Sequence, residues 1–302
     1  MRHAAFASII LAACAATRPS TPATIAPETR ASFSSDLAFL RAHGDVVVLE
    51  SPHGGKIAVF AKYQARVMTS AFSSEAPSLG WIHRAFIESG KTGTQFDNYG
   101  GEDRFWLGPE GGQLALYFAP GKPFELASWQ TPHPLQEGEW EIRTSSPLHV
   151  SLTRRISVTN YAGTVFDVAV ERTIRLVEPD VPALAHASWV AYESITTITN
   201  AGTRAWTRET GMPSIWILGM FAPAADAKIL VPFRRGAPES IVNDAYFGKI
   251  SPDRLRVDES RGCVVPGASL KHTHSTLHVL MDDDVRTVLG ALGIDPDCAL
   301  DL

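Results

Sequence analysis

HVSLTRRISVTNYAGTVFDVAVERTIRL, residues 149–176, decides how this chain folds. In its first arm Val150, Leu152, Ile156 and Val158 keep a period of two, with polar residues between them. In its second arm Phe166, Val168, Val170, Ile174 and Leu176 do the same. A period of two sends alternate side chains to opposite faces of a strand, so each arm is a half-buried strand and the T-N-Y-A-G between them is the turn. The pattern returns downstream, where WVAYESITTI (189–198) runs into a second turn, Thr199 to Gly202.

Outward from this hairpin, most of the chain carries the same signal. DVVVLE (45–50), a turn at SPHGG (51–55), KIAVFA (56–61) and ARVMTSAF (65–72) predict an antiparallel meander. SIWILGMF (214–221) and AKILVPF (227–233) have the continuous apolar character of more deeply buried strands. Helices are few. One short helix is expected before the meander, capped by Ser35, carrying Leu37, Phe39 and Leu40 and stopped by Gly44; WIHRAFIESG (81–90) competes for a second. The expectation is an all-β, mainly antiparallel protein. It is a sandwich rather than a propeller, since no 40-residue period appears.

The 302 residues carry 27 Lys and Arg against 32 Asp and Glu, a formal net charge of −5, with no basic run to follow a phosphate backbone. Nucleic acid is therefore not an expected class of partner. With 7 Trp and 14 Phe the chain can build a substantial core.

The N-terminus reads as a targeting signal rather than as fold. Arg2 precedes an apolar run, Ala4 to Ala13, too short to span a bilayer, and the run ends in Leu11-Ala12-Ala13-Cys14, which resembles a bacterial lipobox. The resemblance implies acylation of Cys14 and attachment to the periplasmic face of a membrane. Ala15, where an aspartate would signal retention, implies the outer one. A plain secretory signal is the alternative. Residues 15–34, rich in Pro, Thr and Ala, read as a tether, 35–257 as the β domain, and 258–302 as an atypical tail whose last third lacks the strand alternation a closing sheet needs. Within that tail Val285, Val288, Leu289 and Leu292 have helical spacing. Cys263 and Cys298 could pair in an oxidising periplasm, but two cysteines make no framework. His272, His274 and His278 lack partners at metal-ligand spacing, and no cofactor or metal is expected.

One stretch does not read as ordinary folding grammar. GGEDRFWLGPEGGQ (100–113) packs three carboxylates, an arginine and a tryptophan between glycine pairs. Its carboxylates exclude a phosphate loop. If 102–107 is extended, Glu102, Arg104 and Trp106 share one face. A carboxylate and a guanidinium can hydrogen-bond adjacent sugar hydroxyls while an indole stacks on the apolar face of the ring. The structural alternative is a buried ion pair, Glu102–Arg104 or Glu110–Arg66, with Trp106 in the core. A calcium site from Asp97, Asn98, Glu102 and Asp103 is weaker, having no EF-hand spacing.

KIAVFAKYQARVMTSAF, then YGGEDRFWLGPEGGQLALYF, then strands ending in VTNYAG and ITNAG, resemble the galactose mutarotase-like supersandwich group, and within it an uncharacterised family of secreted bacterial proteins. The likeness runs from about residue 36 to about 257. It implies a two-sheet fold whose concave face binds carbohydrate in many relatives, but it hands over no reaction. Aldose epimerases of this fold use a histidine acid and a late glutamate base. Here His83, His133, His149 and His186 are scattered, which puts epimerisation in doubt. Two function classes follow. One is a carbohydrate-active enzyme, epimerase-like or cleaving glycosidic bonds, with Glu102, Asp103 or Glu110 as acid and base and Arg66, Arg104 and Trp106 holding substrate. The other is a lipid-tethered saccharide-binding protein with no chemistry.

Overall fold

The computed structural model describes residues 30–93, 95, 98–178 and 188–222, together with 273–281 as a backbone strand. Ten strands and three short helices fall in this part, and every strand pairing is antiparallel. A three-stranded sheet runs in the order β1 (Val46–Glu50), β2 (Lys56–Phe60), β3 (Arg66–Ala71). A five-stranded sheet has the order β10 (Thr273–Met281), β8 (Trp189–Asn200), β7 (Val165–Leu176), β6 (His149–Thr159), β5 (Glu141–Ser145). Between these layers β4 (Arg104–Gly108) pairs with β9 (Ser214–Leu218). The result is an all-β sandwich.

The hairpin at 149–176 forms as its alternation requires. His149 through Thr159 register against Arg175 through Val165 without a break. Val150, Leu152, Ile156 and Val158 of β6 and Phe166, Val168, Val170 and Ile174 of β7 all turn into the core. They meet Ile57, Val59 and Val67 of the three-stranded sheet, with Phe105, Trp106 and Leu107 of β4 in the same cluster. The other face of that sheet packs a second cluster: Ala58, Phe60, Met68 and Ala71 against Phe33 and Leu40 of α1 (Phe33–Arg41) and Ile87 of α2 (Arg84–Glu88). β2 and β3 are thus buried on both faces, which explains their continuous apolar runs.

Two details differ from the expectation. The cap of α1 is Ser32, whose hydroxyl accepts from the Ser35 N–H, so the helix begins two residues before Ser35. Asp36 of α1 is buried and pairs with Arg84, tying α1 to α2. The tail expected to be atypical supplies a strand, since β10 pairs with β8 from Thr273↔Thr197 to Met281↔Trp189 and is the outer strand of this sheet among the described residues. The expected strand at 227–233, the lipobox, the tether as far as residue 29, Cys263 and Cys298, His186, His272, Asp97 and the helical spacing at 285–292 lie outside the described residues, while the last two residues of the expected tether, Phe33 and Ser34, belong to α1.

Candidate functional site

The first part of the Gly100–Gln113 stretch threads between the two sheets, while Pro109 and residues 111–113 return to the surface. All of residues 100–108 are buried. The glycine pair makes this path possible. Gly100 and Gly101 have φ of +88° and +111°, and a Cβ at Gly100 would stand 2.1 Å from the Trp81 carbonyl oxygen. A Cβ at Gly101 would stand 2.4 Å from the Arg66 Cδ. Only glycine fits both the left-handed backbone and the contact.

The two acids that follow are spent on opposite neighbours. Glu102 accepts from the Ser70 N–H at 2.6 Å and the Ser70 hydroxyl at 2.9 Å, and on its other oxygen from the Tyr192 hydroxyl at 3.1 Å. Asp103 accepts from the guanidinium of Arg172 and from the Ser194 hydroxyl at 2.6 Å. Glu102 and Asp103 therefore clamp β4's entry to β3, β7 and β8. Burial, then the nearby Glu102 and Asp103 carboxylates, push the Tyr192 hydroxyl well above its usual pKa.

Sequence reasoning missed half of this network. Arg172, Tyr192, Ser194 and Thr196 occupy the core-facing phase of β7 and β8, and Arg172 Nη1 donates across the ladder to Thr196 Oγ1 at 3.0 Å. The signal was present. Arg172 stands in phase with Val168, Val170 and Ile174, and an arginine in the apolar phase of a strand needs a buried acid. That acid is Asp103, an ion pair with both side chains fully buried.

Arg66 and Arg104 converge on a different atom. Both donate to the Gln64 Oε1, at 2.9 and 3.4 Å. Arg66 also donates to the carbonyls of Tyr63 at 3.3 Å and Gly100 at 2.5 Å. Arg104 reaches the Leu135 carbonyl at 3.2 Å and the Gln136 side chain at 2.8 Å, on α3 (His133–Gln136). Neither expected ion pair, Glu102–Arg104 or Glu110–Arg66, is made among the described residues. Burial, then repulsion from Arg104, holds Arg66 well below the usual arginine range, and burial brings Arg104 down to about 9.

Trp106 lies within the molecule, 3% exposed. The Arg104 guanidinium sits 3.9 Å from its ring centroid, Tyr117 stacks on it at 5.3 Å, and Trp129 stacks on Tyr117 at 5.1 Å. Its indole N–H donates to Glu110 Oε1 at 2.9 Å. Glu110 is the one loop carboxylate of the three that keeps partial exposure.

The stacked rings lead to an open cleft of about 600 Å³. Tyr117 and Phe118 line it together with Lys122, Ser128, Gln130 and Thr131. Phe124, 44% exposed, packs edge-on against Phe118 and lies 4.5 Å from Tyr161 between ring centroids. Tyr117 and Phe118 are themselves buried, so the exposed ring beside the cleft is Phe124, with the hydroxyls of Ser128 and Thr131, the Gln130 amide and the Lys122 ammonium in the lining. Among the described residues no group of three or more His, Cys, Asp or Glu could hold a metal ion.

A family model matches residues 31–264, nearly all of the sandwich. The chain belongs to a family of unknown function, DUF6786. No curated protein and no solved structure matches it.

Proposed function

We propose that this protein is a lipid-anchored periplasmic saccharide-binding protein, built on a galactose mutarotase-like frame, that holds its ligand in the cleft beside Tyr117 and Phe118. The observation that carries the reading is the composition of that cleft. The exposed Phe124 ring, packed on Phe118 of the lining, together with the hydroxyl and amide groups of that lining, matches the two aspects of a pyranose, its apolar face and its hydroxyl edge. The volume suits a ligand of one or two sugar rings. The half-exposed Phe124 offers a platform where the buried Trp106 serves as backing.

The fates of the loop carboxylates favour binding over chemistry. Glu102 and Asp103 each accept from two neighbouring side chains inside the core, so neither is placed to exchange a proton with a ligand in the cleft. A hydrolytic or epimerising reaction would rest on Glu110. Titration calorimetry against a saccharide panel, repeated on Phe124→Ala and Glu110→Gln, tests the reading. Phe124→Ala weakens binding by about tenfold, the loss of one stacking ring, with its melting temperature held. Glu110→Gln binds as the wild type does. Turnover of a bound saccharide that Glu110→Gln abolishes would replace this reading with an enzymatic one.

A further inference from the structure

The lining of the cleft holds one ionic side chain, the ammonium of Lys122, and no carboxylate. The chain as a whole leans the other way, with 32 Asp and Glu against 27 Lys and Arg. Lys122 is exposed, and its side chain makes no ion pair or hydrogen bond among the described residues. Glu125, three residues on in the same exposed loop, does not pair with it. The loop acids are spent elsewhere, Glu102 and Asp103 inside the core and Glu110 on the Trp106 indole. The side chains of Ser128, Gln130 and Thr159 in the lining are likewise without hydrogen bonds among the described residues, whereas the Thr131 hydroxyl already donates to the Gln95 carbonyl at 3.1 Å.

This inventory discriminates between kinds of sugar. A neutral sugar offers hydroxyls that donate, and a carboxylate is the strongest partner a protein can set against them. None lines this cleft. An ammonium with three unspent donors instead pairs best with an anion, in a hydrogen bond stronger than a neutral one. The loop sets where that anion would stand. The Lys122 N–H donates to the Ala119 carbonyl at 3.1 Å, which turns the chain at the cleft wall. Two residues on, the Phe124 ring is held by Phe118 at 5.1 Å and Tyr161 at 4.5 Å between ring centroids. A pyranose chair lying flat on that ring points its equatorial substituents sideways, along the lining rather than into the aromatic face.

We infer that the cleft selects an acidic saccharide, one carrying an anionic group on the edge of a pyranose ring, and that Lys122 is the residue that selects it. The inference rests on the saccharide reading of the cleft and names the class of sugar. The open cleft of about 600 Å³ leaves room for the ring and its charged substituent on the Lys122 side.

The test is calorimetry on the purified protein with glucose, galactose and mannose, the matching uronic acids, the matching 6-phosphates, and inorganic phosphate and acetate as free anions. Each titration is run at low ionic strength and at about 0.3 M salt, where screening shortens the reach of an exposed charge to roughly 6 Å. An acidic sugar is expected to bind at least about threefold tighter than its neutral parent at low salt, the scale of an exposed charge pair, with the margin shrinking at high salt. Lys122→Gln should bring acidic and neutral sugar to within about twofold of one another, Lys122→Glu should invert the preference, and Lys122→Arg should keep it. Preference for uronates assigns a carboxylate, and preference for 6-phosphates a phosphoryl. Neutral sugars binding as tightly as acidic ones would overturn the acidic class and leave the saccharide reading standing. A preference for acidic sugars that persists in Lys122→Gln would overturn the assignment to Lys122. Free anions binding with no sugar response, or no response to any compound, would remove the saccharide reading and this inference with it.

Discussion

The weight of single residues here is set by burial. Asp103 and Arg172 compensate one another with no access to water, so removing one strands the other. Asp103→Ala should cost about 3–5 kcal/mol, the usual penalty for breaking a buried pair from one side, as read by denaturant unfolding. Tyr192 gives a second handle at this scale. Its folded-state pKa is raised, so the folded form holds its proton where the unfolded chain lets it go, and its stabilisation is complete below about pH 10 and lost as pH rises beyond that. Arg104 acts with the opposite sign. Its folded pKa near 9 lies below the unfolded value, so deprotonation above pH 9 favours the fold. Comparing wild type with Tyr192→Phe cancels the arginine contribution. The variant should lose less stability than the wild type between pH 10 and 11.5, and parallel curves would mean that Tyr192 does not ionise on unfolding. None of these partnerships was legible locally. Glu102 and Tyr192 stand 90 positions apart in the chain, and Asp103 and Ser194 stand 91 apart. A sequence shows that a polar residue occupies an apolar phase, as Arg172 does, but not which distant residue answers it.

Elements were far more legible, because periodicity is local. The 149–176 hairpin, the meander and the strand from Trp189 all stand where alternation put them. The misplacements have physical reasons. The α1 start moved because Ser32 and Ser35 are both competent caps, and the bond from the Ser35 N–H to the Ser32 hydroxyl decided between them. β10 was overlooked because an edge strand is defined by its backbone ladder to β8 more than by its side chains. β4 was read as half-exposed, with one face free for a ligand, whereas it is buried on both sides. Its entry depends on glycine. Gly100→Ala should lower stability by more than about 3 kcal/mol, since left-handed backbone strain and overlap with the Trp81 carbonyl add. Gly112→Ala is the control, with φ of +83° and open space around it, and should show only the backbone cost of about 1–2 kcal/mol. Equal losses in the two melting curves would mean that close packing at Gly100 is not what fixes the loop.

At the scale of the molecule, a two-layer sandwich with a doubly buried strand between the sheets gives a rigid frame, and the cleft lies on the chain that leaves that strand. The stack from Trp106 through Tyr117 to Trp129 links the interior to the cleft wall, so the loop that stood out in the sequence shapes the site from behind. Anchoring belongs to this scale too. The lipobox reading predicts that Cys14→Ser moves the protein from the membrane fraction to the soluble one, because an apolar run this short cannot hold a bilayer as a spanning helix. Retention of the variant in membranes would remove the lipid anchor from the account. The central claim, a saccharide held beside Tyr117 and Phe118 without chemistry, is tested most directly by calorimetry of wild type and Phe124→Ala against a saccharide panel. The account predicts a saccharide that binds the wild type, about tenfold more weakly the variant, with equal melting temperatures and no turnover. Equal affinity in the two proteins, or no saccharide bound by either, would contradict it.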